Sequence, residues 1–433
     1  MFLYRIYYEI RSRYNIVWTF NGLFFAFISF FYKIPRNIDI LFVGHDVHRN
    51  AKKNGKLYNP LIDPIIESFH KDNIYNILTL ATPFSRHFGS ECHGNVRIHS
   101  FRIVISVLKR FFLKGSFKLK KIENDPLINA YKNLLKKINP KVIIGAQPSV
   151  ELCIAASKLK IKTYDMQHGL ISDVNYYSIT KRESINQLGW PDNVLCWDIE
   201  SSERLNKITK GLAKAVIIGH PSYHSESGKN LHANQIKNII DSNYKSRILV
   251  TLTHHDYGMY FEDNCYKEIG IPSELVGLML KLPKIFWRIR LHPVQYKFYY
   301  ERVNSYLCKI FDGHDNINWE LYSDISFGAA IYGCNGHITV SSASALDAAQ
   351  NSIPTLFVGC PGVVDYKIIR SYFKEYLESG IMTYTDASSL NNSSISFFSK
   401  LNNNVLLMKN KNYKSHKYFR KFIKKIKKDI NIS

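Results

Sequence analysis

Several features that would settle a function class at once are missing from this sequence. Its seven cysteines, at positions 92, 153, 196, 265, 308, 334 and 360, form no C-x-x-C pair. Neither a zinc site nor a disulfide framework is therefore indicated, and scattered thiols in odd number fit a reducing cytosol best. No G-x-G-x-x-G fingerprint is present, which argues against a nicotinamide enzyme. No D-x-D pair stands at a strand end to bridge phosphates through a divalent ion, so no metal is expected. Zinc-finger spacing, basic helices with heptads and RNA-binding aromatic signatures are all lacking, and nucleic acid is not an expected partner. Internal repeats and low-complexity tracts are absent too.

Acidic residues are scarce. Lysine and arginine number 58 against 35 acids, a formal net charge of +23 that draws phosphates, anionic lipid or acidic polymers. The 433 residues, 45% hydrophobic and 21% charged, are too many for one ordinary core and suit two or more globular domains. The apolar stretch Asn15–Tyr32 is short for a membrane span and no small-residue cleavage site follows it. With Arg11 and Arg13 before it and Lys33 and Arg36 after, residues 1–37 read as a helix that either packs on the body or lies in a membrane interface. A second basic stretch, within residues 386–433, puts Phe419, Phe422, Ile423 and Ile426 on one helical face, as a solvated closing helix or a membrane attachment. Location in the cytoplasm, peripheral on an inner membrane, is the expectation.

What is present alternates. "IDILFVGHD" reads as a buried parallel strand, "NPLIDPIIESFHKDN" as a helix and "IYNILTLAT" as the next strand. "DPLINAYKNLLKKIN", "PKVIIGAQ", "SVELCIAASKLK", "IKTYDMQHG", "VLCWD" and "AVIIGHP" continue the scheme, so residues 38–222 form one α/β unit. Residues 223–245 read as a linker, and a second α/β unit follows over 246–385. The fold class is α/β: two Rossmann-like parallel-sheet domains facing a central cleft, where open parallel sheets bind ligands at their carboxyl ends.

Three segments carry the chemistry. "WRIRLHP" alternates Arg288 and Arg290 with apolar residues in a strand, and Pro293 ends the ladder beside His292, which is expected to point away from the arginines. "HITVSSASALDAAQNS" runs a strand into Ser341, Ser342 and Ser344 and then a helix whose start suits an anion; Asp347 lies about one turn in, as a dipole-matching or ribose-contacting acid. "QHG" places His168 between Gln167 and Gly169 at a first-unit strand end, where a histidine near its intrinsic pKa takes a proton or orients a phosphate. His45 and Arg49 are further residues for the acceptor or the cleft. "HRNAKKNGKLYNP" reads as an acceptor-lining or a solvated loop.

His292-Pro293 followed by Ser341-Ser342 resembles the motif pair of bacterial sialyltransferases and polysialyltransferases, which use a CMP-activated sugar. "QHG" is similar to a motif of capsule-type transferases, including those that move Kdo. The resemblance implies the GT-B fold and a metal-independent transfer of a CMP-linked acidic sugar to a hydroxyl of an O-antigen, capsule or lipooligosaccharide. It implies that His292 contacts the CMP phosphate, that Ser341 and Ser342 hold the phosphate or the sugar carboxylate, and that Arg288 and Arg290 add positive charge. The acidic catalytic pair of sialyltransferases has no counterpart; QHG occupies its place, and His168 is assigned as the base. Teichoic-acid polymerases that use CDP-glycerol also look similar. Outside this class stand a nucleotide-sugar epimerase and a non-catalytic protein that binds anionic glycans.

Overall fold

The computed structural model describes residues 35–44, 49, 51–70, 75–81, 89–94, 96–97, 125–171, 189–224, 244–254, 261–360, 362, 364–403 and 405–432, together with 27, 102, 103, 105, 106 and 109. The apolar N-terminal stretch apart from Phe27, His45 and most of the expected linker lie outside the described residues. Two compact units emerge, Met1–Ser227 with Tyr418–Ser433, and Gly228–Lys417.

The first unit holds a parallel six-stranded sheet built from β1 (Ile40–Gly44), β4 (Ile77–Ala81), β5 (Val142–Gly145), β6 (Lys162–Met166), β7 (Asn193–Cys196) and β8 (Lys214–Ile217), in the order β4-β1-β5-β6-β7-β8. Every residue of β1 and β5 is buried, because helices cover both faces of a central parallel strand and leave no polar side to the alternation. The helix Pro126–Ile138 shows how the sequence sets its own boundaries. Asp125 accepts from the Leu127 N–H at 2.8 Å, Pro126 fills the first turn where no donor is needed, and Asn139 closes the helix in the left-handed region.

Between β1 and β4 the chain makes a hairpin, β2 (Ala51–Lys53) against β3 (Lys56–Tyr58), so the expected acceptor-lining or solvated loop is an ordered antiparallel turn. Tyr58 at its end is fully buried, and Lys53 binds Glu67.

The second unit repeats the architecture with β9 (Ser246–Thr251), β10 (Ile285–Arg290), β11 (Ile317–Asn318), β12 (Gly336–Thr339), β13 (Thr355–Gly359) and β14 (Met382–Asp386), in the order β11-β10-β9-β12-β13-β14, all parallel. The chain leaves β9 toward β10 and later returns on its other side at β12, which opens a switch point between β9 and β12, the usual ligand position of a doubly wound sheet.

The C-terminal helix Val405–Ile432 corrects one expectation. Its apolar face is neither solvated nor left for a membrane: Phe419, Phe422, Ile423, Ile426 and Ile430 are at most 7% exposed, packed on the first unit. Phe422 meets Tyr164 edge-on at 5.9 Å, Lys141 Nζ donates to the Ile430 carbonyl and Lys162 pairs with Asp429. Burying side chains of this size stabilises by roughly 1.5–3 kcal/mol each, which outweighs the solvation of the lysines around them. Among the described residues, no helix is long and apolar enough to cross a membrane.

Candidate functional site

At the carboxyl end of β10 the strand stops at Arg290, so no strand face sets the direction of His292, contrary to expectation; it caps the helix Pro293–Phe298. Its Nδ1 accepts from the Val294 N–H at 3.2 Å, and its own N–H donates to Gln295 Oε1 at 2.9 Å, a capping box with histidine in the usual serine place. An accepting Nδ1 puts the ring proton on Nε2. Burial first, and then the neighbouring His254, push the His292 pKa down to about 4. The imidazole is therefore neutral near pH 7 and offers one N–H donor. His254 stacks on it at 5.6 Å and on Tyr299 at 5.8 Å.

Gln295 fixes this turn. Fully buried, it donates from Nε2 to the Thr253 carbonyl at 3.4 Å and the Ile269 carbonyl at 3.3 Å while holding the His292 N–H. Gly270 completes the clamp: its φ is +78°, and a β-carbon there would stand 1.8 Å from the Thr253 carbonyl oxygen. Only glycine lets the tail of β9 lie this close to the end of the helix Asn264–Ile269.

Across the switch point, a chain of hydroxyls climbs from the sheet to the serine segment. His337 is fully buried; its Nδ1 meets Thr355 Oγ1 at 3.1 Å, and its Nε2 meets Thr251 Oγ1 at 3.0 Å and Ser344 Oγ at 3.3 Å. Ser344 Oγ donates to Ser342 Oγ at 2.8 Å, and its N–H donates to the same oxygen at 3.2 Å. The helix Ser344–Gln350 begins after Ala343, without a side-chain cap, so the expected serine cap is instead a turn in which Ser342 accepts from Ser344. Ser341 has no hydrogen-bond partner among the described residues, and Asp347 is half-buried in the first turn of this helix. Burial pushes the His337 pKa down to about 3, so it orders hydroxyls as a neutral ring.

The arginines do other work. Arg288 is 1% exposed, and its Nη1 donates to the carbonyls of Ala330 at 2.7 Å and Tyr332 at 2.8 Å, closing the helix Phe327–Ile331. Its guanidinium also lies 4.9 Å from the Tyr322 ring. Arg290 Nη1 donates to the carbonyls of Tyr322 and Ile325, closing the helix Glu320–Asp324. A cation at a helix carboxyl end meets the dipole favourably, and burial leaves Arg288 no surface for a ligand anion. The expectation for Arg288 is thereby corrected. Arg288→Met is expected to lower stability by about 2–4 kcal/mol, since one buried and one part-buried carbonyl lose their donor, while nucleotide binding stays intact; urea unfolding beside a binding titration checks both.

In the first unit, β6 ends at Met166 and the QHG segment follows. Gln167 is fully buried and acts as a staple: Oε1 accepts from the Trp197 N–H at 2.8 Å, while Nε2 donates to the Gly169 carbonyl at 2.9 Å and Ser201 Oγ at 3.0 Å. It therefore shapes the turn that carries the half-buried His168 and is not itself free to meet a ligand. Gly169 has no positive φ, and a β-carbon there would meet nothing within 4 Å, so the turn needs glycine for no contact of its own. Arg49, expected at the acceptor or cleft, is 5% exposed and bound to Asp63 at 3.2 Å.

Sequence reasoning missed one motif. "GHP" at the end of β8 repeats the His-Pro turn: His220 Nδ1 accepts from the Ser222 N–H at 3.2 Å, as His292 does from Val294. The repeated dipeptide at a strand end was the available signal. At this second turn the ring is 4% exposed and packs at a tilt against Trp197 and Tyr223, with ring centres 4.5 Å away in each case, which marks a packing histidine.

No family model matches the sequence, and no curated protein matches it. Solved structures do. A histidine-to-alanine variant of the wall teichoic acid polymerase TagF aligns with a TM-score of 0.55 at 13% identity, over 99% of this chain and 97% of that one. TagF solved with CDPG gives a TM-score of 0.52 at 14% identity, with the same coverage of both chains. The S. aureus MnaA–UDP co-structure gives 0.50 at 14% identity, over 84% of this chain and 89% of that one. Identities this low speak for the fold alone, which is GT-B: two α/β units, each on a six-stranded parallel sheet.

Proposed function

We propose that this chain is a glycosyltransferase that moves a sugar from a cytidine nucleotide to a hydroxyl of a bacterial surface glycan. The observation that carries the reading is His292, held neutral at the carboxyl end of β10 with its remaining proton on Nε2. A fixed donor at a strand end meets the charge that grows on a departing nucleotide phosphate, and needs no reorganisation as the bond breaks. In this reading Ser341 and the ordered Ser342 hydroxyl assist, and Asp347 contacts the nucleotide ribose. Arg290 adds positive potential from behind.

In the transfer, the acceptor oxygen forms a bond to the anomeric carbon as the bond from that carbon to the phosphate oxygen breaks. His168 takes the acceptor proton, and the nucleotide monophosphate leaves with the bonding pair. A CMP-linked acidic sugar, sialic-acid-like or Kdo, is the first donor to test. The acceptor is a glycan or a lipid-linked oligosaccharide, and the net charge of +23 favours work at an anionic inner-membrane surface.

A second reading, transfer of glycerol phosphate from CDP-glycerol, is favoured by the TagF likeness, which spans 99% of this chain. Its donor also bears cytidine, but a phosphorus–oxygen bond breaks in place of a carbon–oxygen bond. Turnover with a panel of CMP-, CDP-, UDP-, GDP- and dTDP-linked donors, with and without acceptor, tests both. CMP-sugar turnover that needs an acceptor is the expected result. CDP-glycerol turnover alone selects the second reading, uridine donors alone overturn the cytidine assignment, and product formed without acceptor overturns transfer in favour of epimerisation.

A further inference from the structure

A separate polar cluster lies in the first unit at the carboxyl end of β1, on the strand where that sheet's connections diverge to β4 and β5. Arg49 is 5% exposed, and Asn59 and Asp63 are fully buried. Arg49 Nη1 and the Asn59 N–H both reach Asp63 Oδ2, at 3.2 Å and 2.8 Å. The Asn59 amide has one orientation, because its Oδ1 accepts from the Leu61 N–H at 3.0 Å and the Ile62 N–H at 3.4 Å. That leaves Arg49 Nη2, Asn59 Nδ2 and Asp63 Oδ1 buried without a hydrogen-bond partner among the described residues. Leaving each such atom unmet costs roughly 1–3 kcal/mol, so three together call for an occupant.

Gly44 supplies the room. A heavy atom attached where its β-carbon would be stands 3.4 Å from Asn59 Nδ2, 3.8 Å from Arg49 Nη2 and 3.6 Å from Ile62 Cδ1. Two donors face this gap, and an acceptor belongs to the same cluster. The charges nearby already balance, with Arg49 against Asp63 and Lys53 against Glu67. An anion would meet the Asp63 carboxylate uncompensated, whereas a neutral hydroxyl oxygen accepts from the amide and the guanidinium without adding charge. His93, 24% exposed and 3.0 Å from Glu67, stands at the solvent side of the cluster.

We propose that the gap at Gly44, between Asn59 and Arg49, is a subsite for a hydroxyl group of a neutral sugar ring. The inference rests on the proposed glycan-transfer reading and gives the acceptor side of it a named position. Burial pushes Asp63 up to about 6 against the pull of Arg49, which is the behaviour of a carboxylate short of a proton donor.

Gly44→Ala tests it directly. The added methyl would make only ordinary van der Waals contacts, so the fold is retained while the gap is filled. Saturation-transfer NMR with glucose, galactose and N-acetylglucosamine at millimolar concentration is expected to show binding of at least one sugar to the wild type. Gly44→Ala is expected to weaken that sugar by at least about tenfold, with the fold retained and nucleotide binding unchanged. Gly44→Ser, which places its own hydroxyl in the gap, is expected to give a higher Tm than Gly44→Ala and to block the sugar as well. Binding of none of the three sugars to the wild type, an ordered water being the sole occupant, would overturn the subsite. So would equal sugar binding by Gly44→Ala. If the sugars bind and respond as expected while no donor is turned over, the transfer reading falls and the subsite stands.

Discussion

Replacing His292 by alanine is expected to weaken binding of the cytidine nucleotide by roughly 30–100-fold, the worth of one hydrogen bond from a half-buried donor to a charged phosphate oxygen. Isothermal titration with CMP reads this. The loss is specific because the rest of the turn has its own supports. Gln295 still binds the Thr253 and Ile269 carbonyls, and Gly270 still admits the tail of β9. A second readout separates phosphate contact from packing. The His292 pKa is pushed below the ordinary histidine value to about 4, so the ring is neutral and CMP affinity varies little between pH 8 and pH 5 on its account. For a group with a depressed pKa, the stability carried by its neutral form is complete above the ordinary value near 6.5 and is lost as pH falls toward 4. An affinity that rises steeply below pH 7 in step with protonation of this ring would mean that the charged form binds, and His292 would then not be a neutral donor.

His168→Ala is expected to leave CMP affinity within about twofold of wild type and to lower kcat by roughly 100–10,000-fold, the usual contribution of a positioned general base. Rapid-quench turnover with the identified donor measures it. A split between binding and rate is what distinguishes a base from a residue that merely shapes the loop. Gln167 holds its contacts with Trp197, Gly169 and Ser201 whatever stands at position 168, so the turn survives the substitution. Gln167→Ala, by contrast, removes the staple and is expected to lower both stability and rate. A kcat left intact in His168→Ala would return this histidine to an ordinary place in the loop.

The parallel strands were readable because they are buried on both faces. "ILFVG", "VIIG" and "TLFVG" are continuous apolar runs, and each became an interior strand, paired on both edges, of one of the two sheets. The capped helix after Asp125 was readable for a local reason, since proline and aspartate act on the backbone beside them. Residues whose roles depend on distant chain were not legible. Alternation in "WRIRLHP" suggests exposed arginines, yet Arg288 finds its partners 42 and 44 residues away at a helix end. The apolar face of the last helix resembles a membrane-binding face until the first unit is seen to cover it. His337 looks like any strand residue, and only the pairing of β12 with β9 and β13 gives it Thr251 and Thr355.

The two histidines given roles in the transfer thus differ in how they are held. A capping box and a neutral tautomer define what His292 can donate, and these follow from Pro293 and Gln295 within three residues of it. His168 is set by a buried glutamine that reaches two neighbouring segments, so its direction depends on packing that no short motif encodes.

Nitrogen NMR of the histidine rings during addition of CMP at neutral pH puts the neutral His292 donor to its most stringent test. The His292 signals are expected to report a neutral ring protonated on Nε2, and CMP is expected to shift this resonance at the concentration that saturates binding while the His337 ring stays unmoved. CMP binding with the His292 Nε2 signal unperturbed, or no CMP binding at all, would contradict it.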